Sequence, residues 1–366
     1  MSKEYFLPLS IYVHIPWCIH KCPYCDFNSH EFQGQDIKHN EIIYTNALIK
    51  HLESTNFSSR RPIHSIFFGG GTPSLFSPAA FEKIINKISH KFGLEDNCEI
   101  TIEANPGTVD KKYFYGYKDA GINRMSLGIQ SFNDKHLQKL ERIHNKQEAY
   151  EAAKLAVKLF DKVNIDLMFA LPEQTPSELS DDIKMALDIG SSHISYYHLT
   201  IEPNTFFYKH PPKVPNQDDS SKLFDLVSEG LINANFEHYE TSAYAKKGNQ
   251  CRHNLNYWNF GDYLGIGAGA HSKITSGNSI RRYACHKNPK YYLSEVDKNN
   301  FIKEEHELTN NDRIFEYMMN ALRLNNGFKI NNFEYRTNLP INEIKEELLI
   351  AKEKQLVSQI DGRIKP

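Results

Sequence analysis

Three cysteines near the start of the chain are the residues best suited to metal chemistry. Cys18, Cys22 and Cys25 follow a C-x3-C-x2-C spacing, whereas the other three of the six cysteines are scattered along the chain. Thiolates are the ligands that iron–sulfur clusters and zinc prefer. A spacing this short allows one loop to surround one metal centre, so the sequence predicts a metal site here.

Three interpretations of this loop are open. A disulfide would leave one thiol unpaired, and nothing in the sequence indicates secretion. Zinc would need a fourth ligand, which His14, His20 or His30 could supply to complete a tetrahedral site. A [4Fe–4S] cluster normally takes four cysteines, so with three it would keep one iron open for a substrate or cofactor.

Other polar residues follow predicted strands. Gly70, Gly71 and Thr72 belong to a glycine-rich turn that lacks the lysine of a phosphate-binding loop. Glycines allow a ligand to approach the backbone closely, although a plain tight turn would use them too. The polar side chains at or after the C-terminal ends of later strands are Glu103, Gln130, Arg142 and Asp166. Each alone is more often an ordinary loop or capping residue, but their joint position favours one shared site.

The elements that must position these residues alternate regularly. Predicted strands span 11–15, 64–68, 98–103, 124–130, 162–169 and 193–199. Predicted helices span 36–55, 81–92, 110–120, 134–140, 147–160 and 178–187. This alternation predicts an α/β fold of parallel βαβ units with right-handed crossovers. Six units are fewer than the eight of a closed barrel, so we predict an open, partial (β/α)6 barrel over residues 1–205.

The alternation ends after residue 205. Residues 206–304 form an extension that begins with a proline-rich, extended linker and continues into a glycine-rich and aromatic stretch at 246–272. Residues 305–366 predict a C-terminal α+β, winged-helix-like domain, with helices at 312–324 and 341–355 and a hairpin around Asp361-Gly362.

Composition limits the partners. The net charge is −2, from 43 basic and 45 acidic residues, so there is no electrostatic case for nucleic acid, and the C-terminal domain is expected to serve packing. No apolar run approaches the ~18 residues of a membrane span. The N-terminus also lacks the apolar segment of a signal peptide. We therefore expect a cytoplasmic protein with reduced thiols.

The chain resembles the radical S-adenosylmethionine (SAM) superfamily. Tyr12-Val-His-Ile-Pro-Trp-Cys18 and Cys22-Pro-Tyr-Cys25-Asp-Phe27 are similar to the branch shared by oxygen-independent coproporphyrinogen III dehydrogenases and HemW-type heme chaperones. The resemblance implies a radical SAM partial barrel with a [4Fe–4S] cluster on the three cysteines. The residues that it implies for SAM binding are Tyr12, Tyr24, Gly70, Gly71, Thr72, Glu103, Gln130, Arg142 and Asp166.

Two features separate the branches. Phe27 stands where the dehydrogenases have one more cysteine, and His253-Asn-Leu-Asn-Tyr-Trp258 is similar to the HNxxYW motif of the chaperones. The resemblance therefore implies a heme chaperone, without classical turnover, that takes heme as cargo. His253 is the expected axial ligand, with Cys251 as the alternative and a purely structural aromatic cluster as the competing interpretation.

The implied partners are heme, the apo-hemoproteins that receive it, a heme-donating protein and the surface of a membrane. Two other functions stay open. One is an oxygen-independent coproporphyrinogen III dehydrogenase, a radical SAM oxidoreductase, and the other is a zinc-binding interaction protein.

Overall fold

The computed structural model describes residues 7–32, 36–55, 61–107 and 111–366, apart from the side chain of Lys111. The strands are β1 (Leu9–Ile15), β2 (Trp17–Cys18), β3 (His30–Glu31), β4 (Ile63–Gly70), β5 (Leu94–Ala104), β6 (Arg124–Gln130), β7 (Lys162–Phe169), β8 (His193–His198), β9 (Glu237–Glu240), β10 (Ala243–Ala245), β11 (Asp262–Ile266), β12 (His271–Ser276), β13 (Ser279–Cys285), β14 (Ile302–Glu307), β15 (Phe328–Lys329), β16 (Ser358–Ile360) and β17 (Arg363–Lys365).

The helices are α1 (Ile37–Ser54), α2 (Pro78–Phe92), α3 (Lys111–Asp119), α4 (Asp134–Lys139), α5 (Lys146–Leu159), α6 (Pro176–Ile189), α7 (Phe206–Lys209), α8 (Gln217–Asn233), α9 (Arg252–Trp258), α10 (Pro289–Val296), α11 (Asn310–Ala321), α12 (Ile330–Thr337) and α13 (Lys345–Glu353). The predicted start of the third helix, at Asp110, lies outside the described residues. No helix in the described parts of the chain is long and apolar enough to cross a membrane.

One twelve-stranded sheet forms the centre of the molecule. Its order is β14-β13-β12-β11-β1-β4-β5-β6-β7-β8-β10-β9, and the strands from β11 to β8 run parallel. The six predicted strands are all present, and the linear order leaves the barrel open. The prediction of a partial α/β barrel is therefore confirmed.

The seventh parallel strand, β11, was not predicted. It pairs with the outer side of β1, so it extends the barrel beyond the first strand of the chain. Gly265 makes this strand hard to recognise in the sequence. A Cβ added at Gly265 would lie 2.1 Å from the carbonyl oxygen of His271. Close backbone approach requires glycine here, and glycine is a poor signal for a strand.

Burial on both faces explains why the central strands read as apolar runs. Most residues of β4 and β6 are buried, as expected for parallel strands covered by helices. Capping boxes fix the starts of α5 and α6, through Asn145 with Glu148 and Thr175 with Glu178. The main apolar core runs from Leu9 to Phe301 and so crosses the boundary expected at residue 205. The division into three domains stays a prediction.

The C-terminal part has the predicted winged-helix-like arrangement. Helices α11 to α13 pack around a second core, beside a small sheet in the order β15-β17-β16. Asp361 and Gly362 have positive φ angles of 50° and 71° in the two-residue loop between β16 and β17, as the hairpin signal indicated. Helix α12 was not predicted. The helix expected at 341–355 is split into a 3-10 turn at Ile341–Ile344 and α13.

Candidate cofactor site and family

The cysteine loop is held by its own short strands. β2 pairs with β3, with Trp17 opposite His30, so the segment between them folds back on itself. The backbone N–H of Cys25 donates to the carbonyl of Cys22 at 3.1 Å. Cys18 is buried, and Cys22 and Cys25 are half-buried. Burial, followed by the neighbouring Cys25, raises the pKa of the Cys18 thiol to about 11, so a metal must displace its proton.

The glycine turn after β4 lies directly against this loop. The N–H of Gly71 donates to Ile15 at 2.7 Å, and that of Thr72 donates to Trp17 at 2.7 Å. A Cβ at Gly71 would lie 2.5 Å from the carbonyl oxygen of Trp17. Gly70 has a φ of 119°, which a residue with a side chain rarely adopts. Both glycines are thus required where the turn meets the loop.

Two half-buried carboxyl groups, those of Glu103 and Asp166, face the same cavity. Glu103 Oε2 accepts from the backbone N–H of Gly70 at 3.2 Å, which ties it to the glycine turn. Asp166 accepts from Ser126 at 2.9 Å and from Asn164 at 2.8 Å. Burial, and then the nearby Asp166, raises the pKa of Glu103 to about 8. Glu103 therefore holds a proton at neutral pH until a cation or donor approaches it.

Arg142 connects the end of β6 to the cysteine loop. Its Nη1 lies 3.4 Å from the sulfur of Cys22, and its Nη2 donates to the carbonyl of Gly128 at 2.6 Å. Gln130 ends β6 with a φ of 73°, next to a register shift between β6 and β7. Left-handed backbone at a non-glycine residue is costly and concentrates at functional sites.

The predicted site residues line one cavity of about 830 Å³, within the range of cofactor sites. They are Tyr12, Cys18, Cys22, Tyr24, Cys25, Gly70, Gly71, Thr72, Glu103, Gln130, Arg142, Asp166 and His253. The structure thus brings together residues that are up to 241 positions apart in sequence. Their individual roles stay predictions.

His253 lies at this cavity but is fully engaged within the protein. Its Nδ1 is 2.9 Å from the hydroxyl of Ser65, and its Nε2 is 2.9 Å from the hydroxyl of Tyr257. The ring is 1% exposed, and burial lowers its pKa to about 3. The alternative ligand, Cys251, is fully buried, and burial raises its pKa to about 12. The axial-ligand role of His253 stays a prediction, since these hydrogen bonds would have to break first.

Arg124 is a cavity residue that the sequence analysis missed. It begins β6, at the end of the strand opposite Gln130, and is 2% exposed. Its Nε is buried without a hydrogen-bond partner among the described residues. A charged residue opening a buried strand was the signal that could have found it, because buried charge is costly unless it is compensated.

A second cavity of about 590 Å³ adjoins the first. The two share Tyr12, Phe27, Gly70, Glu103 and Tyr257 as lining residues. The second cavity continues from the cysteine loop past α9 to the glycine-rich segment between β11 and β12. A ligand in one cavity would therefore lie beside a ligand in the other.

Comparisons with known proteins agree with this geometry. The family model of the radical SAM superfamily matches residues 12–186, and that of the HemN C-terminal domain matches residues 308–366. The heme chaperone HemW of Haemophilus influenzae is 47% identical over 351 residues, which cover 94% of this chain and 90% of the relative. The heme chaperone HemW of Escherichia coli is 43% identical over 320 residues, which cover 87% and 83%.

Among solved structures, coproporphyrinogen III oxidase (HemN) from Escherichia coli aligns with a TM-score of 0.81 over all of this chain and 87% of its own. At 21% identity, this match shows a shared fold. Membership of the radical SAM superfamily implies a [4Fe–4S] cluster and SAM as cofactors. The resemblance seen in the motifs is confirmed, and the chain belongs to the HemW family of the radical SAM superfamily.

Proposed function

We propose that this protein is a heme chaperone that carries a [4Fe–4S] cluster and SAM, binds heme and transfers it to apo-hemoproteins in the cytoplasm. A heme-donating protein and a membrane surface are the further partners in this proposal. The observation that carries the proposal is that three thiols, the glycine turn and the half-buried polar side chains line one cavity. The names of relatives that match nearly the whole chain support the heme part.

The cysteine loop supplies three thiols, the ligand type of a three-thiolate cluster. The thiols would have to approach one another on binding, because the described residues hold no group of three or more cysteine, histidine, aspartate or glutamate side chains placed to bind a metal ion. Cys18, Cys22 and Cys25 line one cavity, and the guanidinium of Arg142 stands beside the sulfur of Cys22, where it would stabilise a thiolate ligand. When bound and reduced, the cluster supplies the electron for reductive cleavage of SAM. The chain itself orients the ligands and limits the access of water.

The polar side chains that line the first cavity fit SAM, which bears an amino group, a carboxylate and ribose hydroxyls. Glu103, once ionised, would accept from an N–H or O–H group of the ligand, and Asp166 stands nearby as a second acceptor. Arg142 would donate to the carboxylate. The glycine turn leaves room for the ligand to approach the backbone, and Tyr12 and Tyr24 border the space.

SAM affinity is expected to rise with pH up to about 8, because Glu103 must lose its proton to accept from the ligand and its pKa in the unliganded protein is about 8. Below that pH, each unit should weaken binding by roughly tenfold. Calorimetric titration of the reconstituted protein between pH 6 and 8.5, in buffers of different ionisation enthalpy, would measure both the affinity and the protons released.

Glu103→Gln is the matched control, because the amide keeps the shape but cannot titrate. The ligand's own groups titrate equally in both proteins, so the difference between them isolates Glu103. Identical pH profiles for the two proteins would contradict the assignment.

The function itself is tested with two substrates. The reconstituted protein, with SAM and a reductant, is incubated anaerobically with coproporphyrinogen III and, separately, with heme. We expect no decarboxylated porphyrinogen, because Phe27 stands at the cavity where dehydrogenases have a cysteine. We expect heme to bind, with a shifted Soret band, and then to pass to apomyoglobin as a general acceptor. Porphyrinogen turnover without heme binding would overturn the proposal.

A further inference from the structure

The second cavity is walled by aromatic rings that the SAM site does not need. Phe27 comes from the cysteine loop, Tyr257 and Trp258 from α9, and Tyr263 from β11. The side chain of Phe27 is 61% exposed, so a large apolar ring faces open space. Flat aromatic walls suit a planar macrocycle, which gains both apolar burial and ring stacking there.

His271 is the histidine at this cavity whose ring nitrogens are available. It is exposed, and within the described ranges its side chain makes no hydrogen bond or ion pair. The other histidine that lines the cavity, His14, is buried, with its Nδ1 3.1 Å from Tyr12 and its Nε2 2.9 Å from the carbonyl of Asn28. The cavity wall removes part of the water around the ring, and this desolvation, with nearby Lys287 and Arg282, lowers the pKa of His271. It is therefore neutral at pH 7, the form that ligates iron.

The glycine-rich segment before β12 fixes the position of His271. The hydroxyl of Ser272 accepts from the backbone N–H of Gly265 at 2.9 Å, and Gly265 packs directly on the His271 backbone. A Cβ at Gly269 would lie 2.3 Å from the amide of Asn28 on the cysteine loop. The segment thus holds one exposed imidazole at a defined place beside the cluster loop.

Lys287 supplies a cation at the same cavity. It is exposed, and its ammonium group has no hydrogen-bond or ion-pair partner in the described part of the chain. The other cations are committed: Arg282 pairs with Glu316, and Lys273 pairs with Asp262 at 3.0 Å. Lys287 is therefore the cation that can pair with a carboxylate of a ligand.

We propose that heme binds in the second cavity, with His271 as the axial ligand of the iron and Lys287 facing a heme propionate. This inference rests on the proposed function. His253 then acts as a positioning residue, because its hydrogen bond to Tyr257 holds a ring of the cavity wall. Heme would contact Phe27 and lie next to the SAM cavity, through the lining residues that the two share.

The test is an anaerobic titration of the full-length reconstituted protein with ferric heme, followed by absorption and electron paramagnetic resonance. Removal of the imidazole in His271→Gly should abolish the ligand-dependent Soret shift and weaken binding by roughly tenfold or more, the scale of metal-site changes. Added imidazole should restore the spectrum in this variant. Cluster content and SAM binding should be unchanged, which shows that the variant is folded.

His253→Gly is the matched control. Loss of its hydrogen bond to Tyr257 should weaken heme binding. The coordination spectrum of the bound heme should stay the same, and added imidazole should not alter it. Rescue by imidazole in His253→Gly, with a normal spectrum in His271→Gly, would overturn the inference and leave the chaperone function intact. A wild-type protein that binds no heme would overturn the proposed function itself.

A second measurement addresses Lys287. Heme dimethyl ester lacks the carboxylates, so the wild-type protein should bind it more weakly than heme, while Lys287→Gln should bind the two forms with similar affinity. An equal preference for free heme in both proteins would place the propionates elsewhere.

Discussion

Replacing Cys18, Cys22 and Cys25 together by serine is expected to remove all cluster iron and acid-labile sulfide from the anaerobically reconstituted protein. The wild type should hold about four irons and four sulfides, as a [4Fe–4S] cluster requires. Serine is a poor substitute, because the soft thiolate supplies the bond to iron. None of the other three cysteines lines this cavity, so none is placed to replace a missing ligand.

Cys98→Ser and Cys285→Ser are the matched controls. Both thiols are buried in the main apolar core, and neither lies on the cysteine loop. They should leave the iron content and the visible spectrum unchanged. Zinc without sulfide in the wild type, or a full complement of iron in the triple variant, would contradict the cluster.

The parts of the site that could be predicted from sequence are those written in contiguous residues. The spacing of Cys18, Cys22 and Cys25 is enough to predict a metal site. Glu103 and Asp166 lie within predicted strands, and the order of the parallel sheet places their strands, β5 and β7, on either side of β6. The cavity that collects them is a direct consequence of that topology.

The remainder depends on contacts between distant segments, which no local pattern reports. Strand β11 is short and contains Gly265, whose lack of a side chain allows the backbone of His271 to approach closely. The hydrogen bonds of His253 to Ser65 and Tyr257 come from a strand 188 positions away and from the next helical turn. A motif therefore identified the family, but it could not say which ring nitrogen is available.

The second large effect is expected in stability, at a buried ion cluster that fixes the unpredicted strand β11. Asp262 is 0% exposed and contacts two cations: Arg61 at 2.7 Å and Lys273 at 3.0 Å. It also accepts from the hydroxyl of Thr275 at 2.8 Å. Arg61 in turn donates to the carbonyl of Leu7 at 3.0 Å. This cluster joins the chain before β1 to β11 and β12.

Asp262→Asn should destabilise the protein by about 3–5 kcal/mol, because it leaves two buried cations without a counter-charge. The matched control is Glu305→Gln, which breaks an exposed pair with Arg281 and should cost about 0–1 kcal/mol. Urea unfolding followed by circular dichroism would compare the two variants. Equal midpoints would show that Asp262 is not the anchor of this cluster.

The pH dependence of the variant provides an independent check on the cause. Burial lowers the pKa of Lys273 to about 8, and attraction to Asp262 keeps it from falling further. In Asp262→Asn the folded-state pKa should drop below 8, while the unfolded value stays near 10.4. The unfolded chain then binds the extra proton across this window, so the variant should regain stability as pH rises from 7 to 9. Asp262→Asn combined with Lys273→Met removes the stranded ammonium group, and it should be both more stable than the single variant and insensitive to pH in that range.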